Sequence, residues 1–463
     1  MSQDTARPNM FTQGSLGLTL LKTALPIIFV MSMNGLLTVV DAMFIGVFIG
    51  PDALSAVTLM FPAYMLLVAL ATLISNGMSS LLARHLGGNR IEAAQAVFSG
   101  AHGLALLFSS LLIVLLLLFG HEATLIAADG SSVIAEMSYT YVAITLWCSP
   151  LLFVLAVNSD ALRSEGRIGL MAGTSVFVSL ANIAFNYVLI AIFDFGVAGT
   201  AYGTALAQSI ALAIVLGFRL RGRTVLRSGS LFRFPLSSNW LSILALGAPQ
   251  SLSFIGIAFG SASTFAALQH FGMNGYEVTV AAFGITTRIM TFAYLPLLGL
   301  TYALQAMIGN NYGAQLWHRS DSTLRIGLVG AFVYCLGAQL ILSVSARPLS
   351  LLFVDDIAVA DEVARILPIM VAMFFVAGPL IVVASYFQAI GDAKRAALLS
   401  LVRPYFFFIP MVWLLPFYIG EVGIWLAGPL SDTLLIGLTA LILVQTARRS
   451  TARWGLFKAI PAA

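Results

Sequence analysis

Long apolar runs separated by short polar breaks recur along the whole chain. They fall at about 16–47, 53–76, 93–119, 136–160, 167–191, 195–218, 240–268, 277–302, 324–345, 362–389, 396–417 and 420–446. A helix that crosses a bilayer needs roughly 20 apolar residues, and each run is long enough. Sixty per cent of the 463 residues are hydrophobic and only 9% are charged, against about 25% charged in soluble domains. A globule in water could not cover that much apolar surface. The expected fold is an all-α integral membrane protein with twelve transmembrane helices. The run from Leu16 is too long for a signal-peptide core and has no small-residue cleavage site, so it is read as a retained first span.

The net charge of +4 does not point to nucleic acid, because no basic stripe is interleaved with aromatics. Basic residues cluster after even-numbered runs: Arg84 and Arg90; Arg163 and Arg167; Arg219, Arg221, Arg223, Arg227 and Arg233; Arg319 and Arg325; Lys394, Arg395 and Arg403; and Arg448, Arg449, Arg453 and Lys458. Arg347 and Arg365 are exceptions. This alternation predicts cytoplasmic termini in a bacterial inner membrane. Pro26, Pro62, Pro150, Pro249, Pro296, Pro379 and Pro410 lie inside runs and read as kinks that a helix bundle tolerates. Cys148 and Cys335 have no CxxC neighbour and read as buried small hydrophobes.

The polar stretch 219–239 divides the chain, and its halves repeat. Ala24-Leu25-Pro26 matches Gly247-Ala248-Pro249. The segment Gly77–Gly87 matches Gly299–Gly309. Leu162–Arg167 matches Phe387–Asp392, and Gly196-Val197-Ala198-Gly199 matches Gly420-Glu421-Val422-Gly423. All offsets lie between 222 and 225 residues. Six spans per half make the repeat parallel, with two six-helix bundles related by a pseudo-two-fold axis along the membrane normal, a recognised transporter plan. The expected divisions are a cytoplasmic segment 1–15, lobes 16–218 and 240–446, the linker 219–239 and a basic tail 447–463.

Over residues 16–446 these features resemble the multidrug and toxic compound extrusion (MATE) family. The likeness rests on the Pro26 region with Asp41, the Gly-rich close of the second helix, the Leu162-to-Gly166 turn with Asn182, and Gln388-Ala389-Ile390-Gly391 followed by Arg403. Asp41 with Asn182 resembles its DinF-type branch. The resemblance implies a V-shaped, two-lobed antiporter that exports organic compounds in exchange for protons or sodium ions.

Asp41 stands between Val40 and Ala42 late in the first run. A carboxylate at mid-bilayer costs roughly 2.5–3.5 kcal/mol on insertion scales and is tolerated mostly where it faces a cavity. It is the candidate proton-coupling group. Counted from the outer helix ends, Asp41, Asn182, Asn186 and Thr204 share a layer roughly 10–17 Å deep. Asn182 and Asn186 occupy one helix face. A polar pocket centred on Asp41 follows, with interhelical hydrogen bonding as the plainer role for the asparagines. Tyr139 and Tyr141 start the fourth helix on the same side, as pocket residues or as an interfacial aromatic belt. In the DinF-type branch a second acid often follows the asparagine, and here that place holds Asn186. Hard cations favour charged oxygen ligands, so protons are favoured over sodium. A sodium ion at Asp41, Asn182 and Thr204 is the alternative.

In the second half, Arg288 and Asp432 are expected to pair. Otherwise Arg288 faces the cavity and influences which substrates bind. Met31, Met33, Phe29, Phe61 and Phe292 could receive apolar ligands, although helix packing explains each as well. There is no HExxH, GxSxG, Walker lysine or GxGxxG, so neither an enzyme nor direct ATP drive is expected, and no cofactor. The expected protein is a monomer that binds small organic substrates, protons or sodium, and membrane lipids, with Pro26 as its hinge. A lipid-linked oligosaccharide flippase of the same superfamily and a non-transport membrane protein are the rivals.

Overall fold

Helix follows helix through the computed structural model, which describes residues 9–271, 275–449 and 453–457. Residues 1–8 of the expected cytoplasmic segment and, in the expected tail, residues 450–452 and 458–463 (Lys458 among them) lie outside the described residues. Ten spans are single helices: α1 (Leu16–Phe48), α2 (Phe61–Gly87), α3 (Ile91–Ala127), α5 (Ile168–Ile192), α6 (Gly196–Leu220), α7 (Trp240–His270), α8 (Tyr276–Gly313), α9 (Trp317–Val344), α11 (Ala393–Ile419) and α12 (Val422–Arg449). Two more are bent pairs: α4 (Ser132–Trp147 with Ser149–Ser164, 47°) and α10 (Ile357–Met370 with Phe374–Ile390, 51°). Together they make the twelve expected spans. No strand forms among the described residues beyond one isolated bridge, Arg453 to Phe457.

Proline acts in two ways. Pro26, Pro249, Pro296 and Pro379 lie inside helices. Pro150 stands at the 47° bend of α4, where a kink was expected. Pro62 instead occupies the first turn of α2, where the missing N–H has no helical partner to lose, and Pro410 lies within α11 just past its π-helical stretch. Cys148 marks the bend of α4 and is only half-buried, unlike the fully buried Cys335. The equivalent helices α5 and α11 each contain a π-helical stretch, Tyr187–Ile192 and Val402–Phe408. Pro404 inside the latter removes a backbone donor, which favours a slip in hydrogen-bond register.

The chain forms two compact units. One contains Phe29–Ser251; the other contains Phe11–Ile28 and the chain from Leu252 onward. The divisions fall just after Pro26 and Pro249, so α1 and α7 each begin in one unit and end in the other. Glycine makes this exchange possible. A Cβ on Gly77 of α2 would overlap the carbonyl oxygen of Ile243, and one on Gly247 would overlap that of Leu73. The start of α7 therefore lies backbone to backbone on α2. In the other unit, a Cβ on Gly299 of α8 would come within 2.6 Å of Ile28 Cγ1 and 2.9 Å of its Cα. The repeat-related glycines each seat the beginning of the other half's first helix.

Several basic residues read as topology signals also hold structure together. Arg219 is buried and pairs with Glu165 at 2.8 Å. It also donates to Asn158 Oδ1 (2.7 Å) and to the Leu226 carbonyl (3.0 Å), and it stacks on Phe98. Glu165 in turn accepts from Val225 N at 2.7 Å, which ties the linker to the bundle. The rest of the linker lies on α3. A Cβ on Gly100 or Gly103 would strike the Ser238 or Leu236 carbonyl, and Trp240 donates to the Gly100 carbonyl at 3.0 Å. In the second unit, Arg319 gathers the turn before α1 by donating to the carbonyls of Phe11, Gln13 and Gly14. Tyr386 donates to the Leu456 carbonyl at 2.6 Å and so holds the segment 453–457. The two exceptions to the charge alternation are matched by acids: Arg347 by Asp361 at 2.6 Å, and Arg365 by Glu362 and Glu421.

Replacing Gly77 or Gly299 with leucine should lower the thermal midpoint of the purified protein by an overpacking cost of about 1–3 kcal/mol. A wild-type midpoint for either variant would show that the seats yield without strain.

Candidate functional site

The residues that could act inside the membrane are few, and four of them meet within the first unit. Helix α1 carries Asp41, α5 carries Asn182 and Asn186 on one face, and α6 carries Thr204. The α5–α6 pair packs along its length. A glycine makes the close approach: a Cβ on Gly203 would overlap Asn186 Oδ1.

These side chains form a hydrogen-bonded series. Asn186 Nδ2 donates to Asp41 Oδ1 at 2.8 Å and to Asn182 Oδ1 at 3.1 Å. Asn182 Nδ2 donates to Thr204 Oγ1 at 2.7 Å, and Thr204 donates to the Thr200 carbonyl at 3.0 Å. Both asparagines are buried, while Asp41 and Thr204 are half-buried. Asn186 Oδ1 is buried without a hydrogen-bond partner. An unmet buried acceptor is costly, so the series has one open position, on the amide beside the carboxylate.

The other expected site residues lie elsewhere. Tyr139 meets the ring edge of His121 (centroids 5.5 Å apart) and packs beside Met60, Leu116 and Val142. Pro26 sits inside an unbroken α1. Phe29, Phe61 and Phe292 are exposed, and Met31 and Met33 are half-buried.

The expected pair of Arg288 with Asp432 does not form. Asp432 on α12 is buried and held in a two-pronged ion pair by Arg403, through Nε and, at 3.1 Å, through Nη2. Arg403 read in the sequence as a loop charge after the tenth helix. It lies instead in the π-helical stretch of α11, which aims it across to α12. Counting Arg403 with the loop charges Lys394 and Arg395, although it falls inside the run 396–417, hid the pair. Arg288 is exposed on α8 and has no hydrogen bond or ion pair among the described residues.

Among the described residues no group of three or more His, Cys, Asp or Glu side chains is placed to hold a metal ion. What the first-unit series offers chemically is one carboxylate with amide and hydroxyl partners, suited to taking up and giving back a proton or to holding a small cation.

The sequence matches the MatE family over residues 26–188 and 249–414. It is 25% identical over 405 residues to the probable multidrug resistance protein YoeA of Bacillus subtilis (strain 168), covering 84% of this chain and 85% of that protein. It is 24% identical over 441 residues to the FAD transporter of Shewanella oneidensis, covering 93% and 94%. Among solved structures, the MATE multidrug transporter DinF-BH superposes with a TM-score of 0.84 at 26% identity, covering 96% of this chain and 98% of that one.

Asp432→Leu alone should destabilise the fold by about 3–5 kcal/mol, because it strands Arg403, and Arg403→Met added to it should restore most of the loss; thermal unfolding of the single and double variants measures both. Gly203→Ala should push Asn186 away from Asp41 at a cost of about 1–3 kcal/mol and reduce transport in step, which a paired measurement of midpoint and dye efflux would check.

Proposed function

The chain belongs to the MatE family, and on that premise we propose that it is a proton-coupled antiporter in a bacterial inner membrane, exporting amphipathic and cationic organic compounds by alternating access. Its relatives include multidrug transporters, and it is itself a multi-pass membrane protein. The observation that carries the coupling assignment is the contact of Asp41 with Asn186, an amide whose own oxygen has no partner.

As a carboxylate, Asp41 accepts the Nδ2–H of Asn186. As a carboxylic acid it has an O–H to donate, and the open Asn186 Oδ1 is an acceptor one amide rotation away. Proton uptake therefore removes a charge from the membrane interior and at the same time satisfies a buried acceptor. The rearranged amide would let go of Asn182, which joins α5 to Thr204 on α6. A single proton would thus change the hydrogen bonds that tie α1, α5 and α6 together. This is the kind of local, two-state event that can bias a transporter between conformations.

Protons are favoured over sodium on the donor set. Asn186 presents an N–H to Asp41 rather than an oxygen, and hard cations bind where several oxygens converge. The lipid-linked oligosaccharide flippase reading has less support, since among the described residues Arg288 alone offers an unpaired cation deep within a span.

The test is efflux of ethidium from proteoliposomes under an imposed pH gradient. Wild type should move the dye, and Asp41→Asn should abolish gradient-driven movement while keeping the wild-type unfolding midpoint. An imposed sodium gradient without a pH gradient should drive nothing. Unimpaired transport by Asp41→Asn would remove Asp41 from the mechanism, and sodium-driven efflux would reassign the coupling ion.

A further inference from the structure

Arg288 is the group that the first-unit site and the packing of the second unit leave unexplained. Helix α8 buries Ala282, Phe283, Ile285, Thr286 and Ile289 and packs on α9 and both segments of α10. Its opposite face leaves Ala281, Arg288, Thr291 and Phe292 exposed, and a Cβ on Gly284 would meet nothing within 4 Å. Arg288 stands twelve residues after Tyr276, about 18 Å along the helix. With the hydrocarbon layer, about 30 Å thick, taken to begin at the start of the apolar run 277–302, the guanidinium lies too deep to reach either interface by extending its side chain.

A permanently charged group at that depth must be hydrated or paired. No acid pairs with it among the described residues, and Asp432, the acid the sequence offers, is occupied by Arg403. The composition of its face decides between lipid and water. The exposed faces of α3 and α9 are mostly large and apolar, with Leu107, Leu111, Val114 and Leu118 beside a single Ser110 on the first and Val329, Val333, Ile341 and Val344 beside Gly330 on the second, which suits hydrocarbon. Around Arg288 the face carries Ala281, Gly284, Thr287 and Thr291. Both threonine hydroxyls donate to carbonyls of their own helix, so they neither compete for an incoming anion nor neutralise the cation. Phe292 lies one turn on, on the same face as Arg288, and presents an exposed ring.

We infer that Arg288 is an anion-binding subsite, and that the substrates of this transporter include soluble organic anions in which an apolar or aromatic body carries a carboxylate or phosphate. A guanidinium offers a planar fork of N–H donors that matches either group with two parallel hydrogen bonds. The neighbouring ring gives the apolar body a surface. The inference rests on the transport reading above for its biological meaning, but the subsite is testable without it.

The experiment is equilibrium binding of carboxyfluorescein to the purified, detergent-solubilised protein, followed by fluorescence polarisation, with ethidium as the cationic control. No gradient is involved, so a failure of proton coupling leaves this measurement untouched. Arg288→Gln should weaken carboxyfluorescein binding about ten- to a hundred-fold, the range expected for losing hydrogen bonds to a charged group. Arg288→Lys should retain part of the affinity. Ethidium binding should hold or tighten, and the unfolding midpoint of both variants should stay at wild type because Arg288 has no partner to lose. Absence of carboxyfluorescein binding by wild type, or binding by Arg288→Gln within two-fold of wild type, would overturn the proposal. Displacement of the dye by short-chain phosphatidylglycerol at lower concentration than by carboxyfluorescein itself would overturn it too, in favour of a lipid headgroup as the occupant.

Discussion

Within hydrocarbon, a polar group that gives up its hydrogen bonds has no water to return to, and the arrangement of this chain follows from how each such group is met. Arg219 shows the fully satisfied case, with a carboxylate, an amide oxygen, a backbone carbonyl and an aromatic face around one guanidinium. Arg403 and Asp432 satisfy each other across α11 and α12. These groups fix helices in place. The groups left open are of a different kind: the Asn186 carbonyl oxygen beside Asp41, and Arg288 on an exposed face. Packing accounts for the closed networks and does not account for the open positions, which is why function is assigned to the latter.

The two halves of the repeat divide these roles. The glycines at 77 and 299 are equivalent, and each seats the first turns of the other half's leading helix by backbone-level contact. That shared skeleton makes α1 and α7 continuous across the unit divisions near Pro26 and Pro249. Polar content is not shared. The carboxylate–amide series lies in the first unit, whereas the second has an ion pair buried for structure and a cation left available. On the proposed reading, duplication supplied the moving parts, and divergence separated proton handling from substrate selection.

Much of this was legible before any coordinates. The span count followed from local hydropathy, and Asp41, Asn182, Asn186 and Thr204 could be set at one depth by counting from helix ends. Other features were hidden for identifiable reasons. Arg403 stood inside the run 396–417 but followed Lys394 and Arg395 closely enough to be counted with their loop cluster, and its direction toward α12 arises in a π-helical turn. Pairing Arg288 with Asp432 assumed that two lone charges in the same half must meet. Pro62 looked like a kink because the run 53–76 merged the short helix Pro51–Leu59 with α2, which Pro62 opens.

The sequence by itself determined the solvent of this protein, the number of its membrane crossings, its internal duplication and its one strong candidate for a titrating group. Each of these depends on composition and spacing along the chain, which no folding event alters. Tertiary structure decided which charges are closed and which are open, which helix starts are exchanged between the units, and that Asn186 rather than Asn182 touches Asp41. Those outcomes depend on side-chain direction around each helix axis and on approaches of a few ångströms between segments far apart in sequence, and neither is encoded in any local window of residues.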